Sequence, residues 1–125
     1  MVKSFITVII ASLLIVVGAW VENYNVKKNF SALERLAQIN QEKALQESIT
    51  QADIDVFQDT WIDCKKTLHI WIPHNEIKEI ELWVSEAVAC VRNEKYPDVA
   101  EKLEVVIELC EQVPHTFRLQ WSNIL

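Results

Sequence analysis

The sequence predicts an all-α protein: an N-terminal transmembrane helix continuing into a stalk, then an antiparallel bundle of three to four helices. With one Gly and three Pro in 125 residues there is little material for hairpins or glycine loops. Good helix formers, Glu, Lys, Leu, Ala and Gln, dominate instead. Residues 5–21, FITVIIASLLIVVGAWV, hold no charged side chain. Downstream of them, apolar residues recur at spacings of three and four in successive stretches divided by Pro-containing segments, the period of helices with one buried face.

As a helix, Phe5 to Val21 is about 25 Å long, at the short end for a bilayer span. Trp20 and Tyr24 lie four apart at its outer end, where aromatic rings with a polar edge favour the head-group layer. Residues 1–21 are therefore read as a membrane anchor that meets lipid through residues 5–21. The alternative is a signal peptide, residues 1–19, which would leave the protein secreted. Lys3 supplies a minimal positive region, and Val17-Gly18-Ala19 satisfies the small-residue rule for cleavage after Ala19. The apolar run passes straight through that site into Trp20 and Val21, which favours the anchor. Very short N-terminal tails usually stay cytoplasmic, so the remainder is expected on the extracytoplasmic side of the cell membrane, although Lys27 and Lys28 compete with Lys3. Asn29-Phe30-Ser31 is a glycosylation sequon that matters only in a eukaryotic secretory pathway.

Residues 22–50 read as a helical stalk that continues from the span and then joins the bundle, with Phe30, Leu33, Ala37 and Ala44 on one stripe and no Pro or Gly to interrupt it. Residues 51–125 read as the bundle. Its first stripe is Ile54, Phe57, Trp61, Cys64, Leu68 and Trp71, with four aspartates between them, and Pro73 ends that helix. Asn75-Glu76 is expected to cap the next, whose stripe is Ile77, Ile80, Val84, Ala87 and Val91. Residues 93–98, NEKYPD, form a turn with Pro97 near a first helical position. Val99, Leu103, Val106, Cys110 and Val113 follow, and Pro114 is expected to close that helix. Beyond it Phe117, Trp121 and Leu125 are spaced by four and are expected to fold back as one more apolar turn. Helices of one shared period pack lengthwise.

The whole chain carries 12 basic and 18 acidic residues, a formal charge of −6. All the acids and all the bases but Lys3 lie beyond residue 21, so the domain should repel nucleic acid and anionic lipid head groups. With Gly18 the only glycine, phosphate-cradling loops and dinucleotide fingerprints are excluded. The glutamates, Glu76, Glu79 and Glu86 among them, lie on solvated helix faces. Ser48, Ser85 and Ser122 lack a placed base, so no catalytic residue and no cofactor is expected, and the chain is read as non-enzymatic. Folding the helices about Pro73 and about residue 96 brings Cys64 and Cys110 into one layer and leaves Cys90 about 12 Å away. Any disulfide should therefore join Cys64 to Cys110, although three buried thiols are the simpler expectation. The same folding carries His69, His74 and His115 toward one end, a candidate metal site without the close spacing of a dedicated motif. Trp83 and Trp121 are candidates for a docking surface.

The segments KSFITVIIASLLIVVGAW, IPHNEIKEIE and LQWSNIL together resemble an uncharacterised family of small single-span membrane proteins from endospore-forming bacteria, catalogued as a domain of unknown function. The resemblance spans nearly the whole chain and implies a membrane accessory protein, encoded beside another small integral membrane protein. It offers no active-site residues to transfer. The chain is thus expected to be a membrane-anchored accessory protein with a protein partner in or near the membrane. The rival expectation is an anchored or secreted sensor that binds a metal or small ligand at the end of the bundle carrying His69, His74 and His115.

Overall fold

Helix α1 runs unbroken from Val2 to Leu45 in the computed structural model, which describes the backbone of residues 2–124 and the side chains of residues 2–115. Three more helices follow, α2 (Gln51–Leu68), α3 (His74–Arg92) and α4 (Tyr96–Ile124). They form an antiparallel four-helix bundle in which α1 packs on α2 and α4, and α3 packs on the same two, so that α1 faces α3 and α2 faces α4 only across diagonals. Short connections between consecutive helices make antiparallel neighbours the natural outcome.

The stretch expected as a stalk is the first helix of this bundle. Val26, Phe30, Leu33, Ala37 and Ala44 are buried, whereas no part of the most apolar window nearer the N-terminus is. Three helices with one apolar stripe each would leave a seam open, and the 22–45 stripe closes it against α2 and α4. One polar residue completes that stripe: Asn40 is 2% exposed, and its side-chain nitrogen has no partner.

With no glycine available, glutamate ends two of the helices. Glu47 (φ 55°) and Glu94 (φ 56°) adopt the left-handed conformation. The Ser48 N–H donates to the Lys43 carbonyl (2.8 Å) and Glu47 N–H to Ala44 (3.0 Å), a pattern repeated by Lys95 to Cys90 (2.9 Å) and Glu94 to Val91 (3.1 Å). Both are Schellman caps, whose left-handed position normally falls to glycine. A β-carbon in that conformation costs about 1–2 kcal/mol, part of which glycine returns through its unfolded-state entropy. Glu47→Gly and Glu94→Gly are each expected to stabilise the bundle by about 0.5–1 kcal/mol, read as a higher melting temperature by circular dichroism.

Helix α2 opens on a capping box: the Thr50 hydroxyl accepts from Asp53 N–H (3.2 Å) and the Asp53 carboxylate accepts from Thr50 N–H (3.0 Å). The Thr50 N–H, with the Lys43 ammonium 3.0 Å away, holds the Asp53 carboxyl below its ordinary range. The expected Asn75-Glu76 cap is not used. Pro73 stands at the cap position in extended conformation (φ −54°, ψ 141°), no side chain caps the helix, and α3 begins at His74. Proline's fixed φ and the reversal at Ile72-Pro73 start the helix before Asn75 is reached.

Pro114 does not end its helix either; α4 continues through it to Ile124. Its missing N–H removes the donor to the Cys110 carbonyl, a local loss. Buried Cys110 and Val113 hold the backbone against α1 on the preceding turn. The fold-back expected for Phe117 and Trp121 is therefore replaced, at the level of the backbone, by a continued helix, and Leu125 lies outside the described residues.

Candidate functional site

Four features could carry function: the bare apolar half of α1, a groove between α1 and α4, the three thiols, and the half-buried Trp83 of α3. Along the first of these the side chains stand free. Leu14 is 68% exposed, Trp20 78% and Tyr24 63%, and the helix has a mean hydropathy of 2.5 over its most apolar window. Nothing in the bundle covers this surface, and a bilayer is the solvent in which such a helix costs nothing to expose.

The groove, about 270 Å³, is lined by Lys27, Phe30, Ser31 and Glu34 from α1 and by Cys110, Glu111, Pro114 and His115 from α4. Across it the carboxyls of Glu34 and Glu111 come within reach of a hydrogen bond when one of them is protonated. Burial first, then that bond and the like charge of Glu111, raise the pKa of Glu34 above its usual value. A carboxyl whose pKa is higher in the folded chain than in the unfolded one favours folding at low pH, and that contribution fades as the pH rises through the raised value. Glu34→Gln removes the repulsion of two carboxylates at neutral pH. It is expected to raise the melting temperature at pH 7 by about 1–4 °C and to leave it nearly unchanged at pH 4.

Cys64 and Cys110 are buried, Cys90 is half-buried, and all three are thiols in this structure. The Cys64 thiol donates to the Asn29 carbonyl at 3.6 Å. Burial raises the pKa of all three, most strongly for Cys110, where Glu34, Cys64 and Glu111 add to it. Cys64 and Cys110 feel one another, as their common layer predicts, yet they stand on helices that face across a diagonal. No Cα of α2 lies within 8 Å of a Cα of α4 among the described residues. A disulfide spans roughly 4.4–6.8 Å between Cα atoms, so in this packing a Cys64 to Cys110 bridge requires the helices to move.

The three histidines are only partly brought together. The His69 and His74 rings meet edge-on, 5.7 Å between centroids, on either side of the α2–α3 turn. His115 belongs to the α1–α4 groove instead. Among the described residues no three or more His, Cys, Asp or Glu side chains converge to hold a metal ion. On α3, Trp83 packs against the core and its ring is roofed by the Lys102 ammonium, 5.0 Å from the centroid; that ammonium also pairs with Glu86 at 3.3 Å. Beside it Leu82 is 53% exposed. The side chain of Trp121 lies outside those described. The capping box and the Glu34–Glu111 pair went unnoticed in the sequence. Thr50-x-x-Asp53 is a readable local motif, whereas a carboxyl pair set 77 positions apart leaves no local signal.

Residues 19–124 match the family model for a domain of unknown function, DUF4363. The chain belongs to that family. The match begins at the last turn of the apolar segment and ends with α4, so the DUF4363 unit is the four-helix bundle itself, with most of the bare half of α1 lying ahead of it. No curated protein and no solved structure matches the chain. The family likeness expected from the sequence is thus met at the level of an uncharacterised domain.

Proposed function

We propose that this DUF4363 chain is a single-pass, membrane-anchored accessory protein that acts by binding a protein partner and carries no catalytic centre. The observation that supports it best is the division of α1. One continuous helix has an apolar half that no other element covers and a second half whose stripe is buried in the bundle. A rigid junction of this kind holds a bundle at a set height above a bilayer. The partner meets the face of α3 that carries Leu82 and Trp83, where an aromatic ring with a cationic neighbour offers the chemistry common at interface centres. The bundle stands on the extracytoplasmic side.

The test is a single surface thiol, Gln46→Cys, at the turn farthest from the span. It is introduced with Cys90→Ala, since buried Cys64 and Cys110 react slowly. Intact cells are treated with a membrane-impermeant maleimide and their membranes washed with carbonate. Labelling of carbonate-resistant protein without lysis is expected. Labelling only after lysis places the bundle inside the cell, and label in the medium means the apolar segment is removed.

A further inference from the structure

Chain turns at a protein surface are ordinarily polar, and the α2–α3 turn, His69-Ile70-Trp71-Ile72-Pro73, is not. Beyond α2 the chain makes one more tight winding, with His69 N–H bonded to Lys65, and both Trp71 N–H and Ile72 N–H to the Leu68 carbonyl. It then reverses at Pro73. Ile72 turns inward and is buried, Trp71 is half-buried, and Ile70 at the apex is 69% exposed.

The height of this turn follows from a contact between helices. Cys64 lies against the Asn29 carbonyl, which sets those two residues at one level. Ile70 is six residues beyond Cys64, about 9 Å along the axis at helical rise, and the same distance along α1 from Asn29 reaches Asn23. The turn therefore stands level with the end of the apolar run, between Val21 and Tyr24, on the side of the bundle from which the bare half of α1 emerges. Tyr24 stands at this level and Trp20 nearly one turn closer to the N-terminus, both exposed.

Charge is distributed to match. Residues 34–59 and 84–107, the half of the bundle remote from the span, carry eleven acids and five bases. The remainder beyond residue 21 carries seven acids and six bases, so that near the level of the turn Glu22, Asp63, Glu76 and Glu79 are balanced by Lys27, Lys28, Lys65 and Lys66. The domain's excess negative charge is thus held away from the level at which α1 turns apolar, where anionic head groups would repel it.

We propose that Ile70 and Trp71 form a second membrane contact, seated in the interfacial layer of the same bilayer that α1 enters; this rests on α1 being a span. An interface of two apolar side chains is far below the roughly 800 Å² per partner of a stable protein contact, but it suffices for a surface already held at the bilayer by a helix. Because α1 is one rigid helix, a single span leaves the bundle free to rotate about the α1 axis and to tilt with it; a second point of attachment removes both motions, so α3 keeps a fixed bearing toward a neighbour in the membrane.

Nitroxide labels on the full chain in vesicles of phosphatidylcholine and phosphatidylglycerol test this. They are placed in a Cys90→Ala background at Leu14→Cys, Ile70→Cys or Gln46→Cys, and relaxation by oxygen is compared with relaxation by a water-soluble nickel chelate. Leu14→Cys should favour oxygen most, and Ile70→Cys should show an oxygen-to-nickel ratio severalfold above that of Gln46→Cys. If Ile70→Cys matches Gln46→Cys while Leu14→Cys reports hydrocarbon, the turn stands in water and the proposal fails with the span intact. If Leu14→Cys also reports water, the span reading itself falls. A label at Ile70→Cys shielded from both relaxants means that a protein, including a second copy of this chain, covers the turn, which likewise overturns the proposal.

Discussion

Trp61→Ala is expected to cost the bundle about 3–5 kcal/mol, a large part of the 5–15 kcal/mol that holds a domain of this size together. Trp61 is 1% exposed at the middle of α2, the largest of the fully buried side chains among the described residues. Truncation removes the ring's transfer free energy and leaves a cavity that four packed helices fill only in part. The indole nitrogen has no hydrogen-bond partner, so the ring carries a desolvation cost of about 1–3 kcal/mol with it. Trp61→Phe, which discards that N–H and keeps most of the apolar volume, should therefore cost much less than Trp61→Ala. Urea unfolding of both variants in mild detergent, followed by far-ultraviolet circular dichroism, checks this. Equal losses for Phe and Ala would show that the indole nitrogen is satisfied in solution, and no loss for Ala would remove Trp61 from the core.

The core was legible because each helix writes its buried face at the same period. Every residue of the α3 stripe from Ile77 to Val91 and of the α4 stripe from Val99 to Val113 is buried, as are Ile54, Phe57, Trp61, Cys64 and Leu68. Trp71, next in that rhythm, falls past the end of α2 and is half-buried, because the chain has already begun to reverse. Residues 22–50 read as a stalk because the segment is polar and helix-prone and carries straight on from the apolar run before joining the bundle. Its buried positions include two alanines and Asn40, small or polar side chains that pack closely without announcing themselves. Local rules misled at the prolines: Pro73 stands at a cap that Asn75 was expected to supply, and Pro114 sits inside a helix held on its preceding turn by Cys110 and Val113.

For the candidate site, one-dimensional spacing estimated height along the bundle well and position around it poorly. Cys64 and Cys110 do share a layer, but whether two helices are neighbours or face across a diagonal depends on the order in which four helices close. Three stripes and an assumed stalk could not supply that order. The histidines illustrate the same limit, since His115 lies on the α1–α4 side while His69 and His74 meet at the α2–α3 turn. Trp83, read as a partly exposed docking residue, is half-buried; the structure adds Lys102, from the neighbouring helix α4, over its ring.

Leu13→Arg combined with Val17→Arg is expected to abolish membrane retention while leaving the bundle's melting temperature unchanged. Both positions lie on the bare half of α1, 58% and 56% exposed. Each arginine near the centre of a span adds about 2.5–3.5 kcal/mol to the cost of insertion, so the pair adds about 5–7 kcal/mol to a segment that is already short. The first core residue of the bundle is Val26, nine positions beyond Val17 and about 13 Å along the helix, too far for either charge to disturb the packing. Loss from the carbonate-washed membrane fraction with an unaltered melt would assign anchoring to residues 5–21 and folding to the bundle as separable properties of one helix. Retention of the double variant would shift the membrane attachment to the bundle. The intact mass of the wild-type chain decides between a retained helix and a leader: cleavage after Ala19 leaves every core residue of α1 in place, so the shortened protein would fold as the full chain does and be distinguished only by its missing nineteen residues.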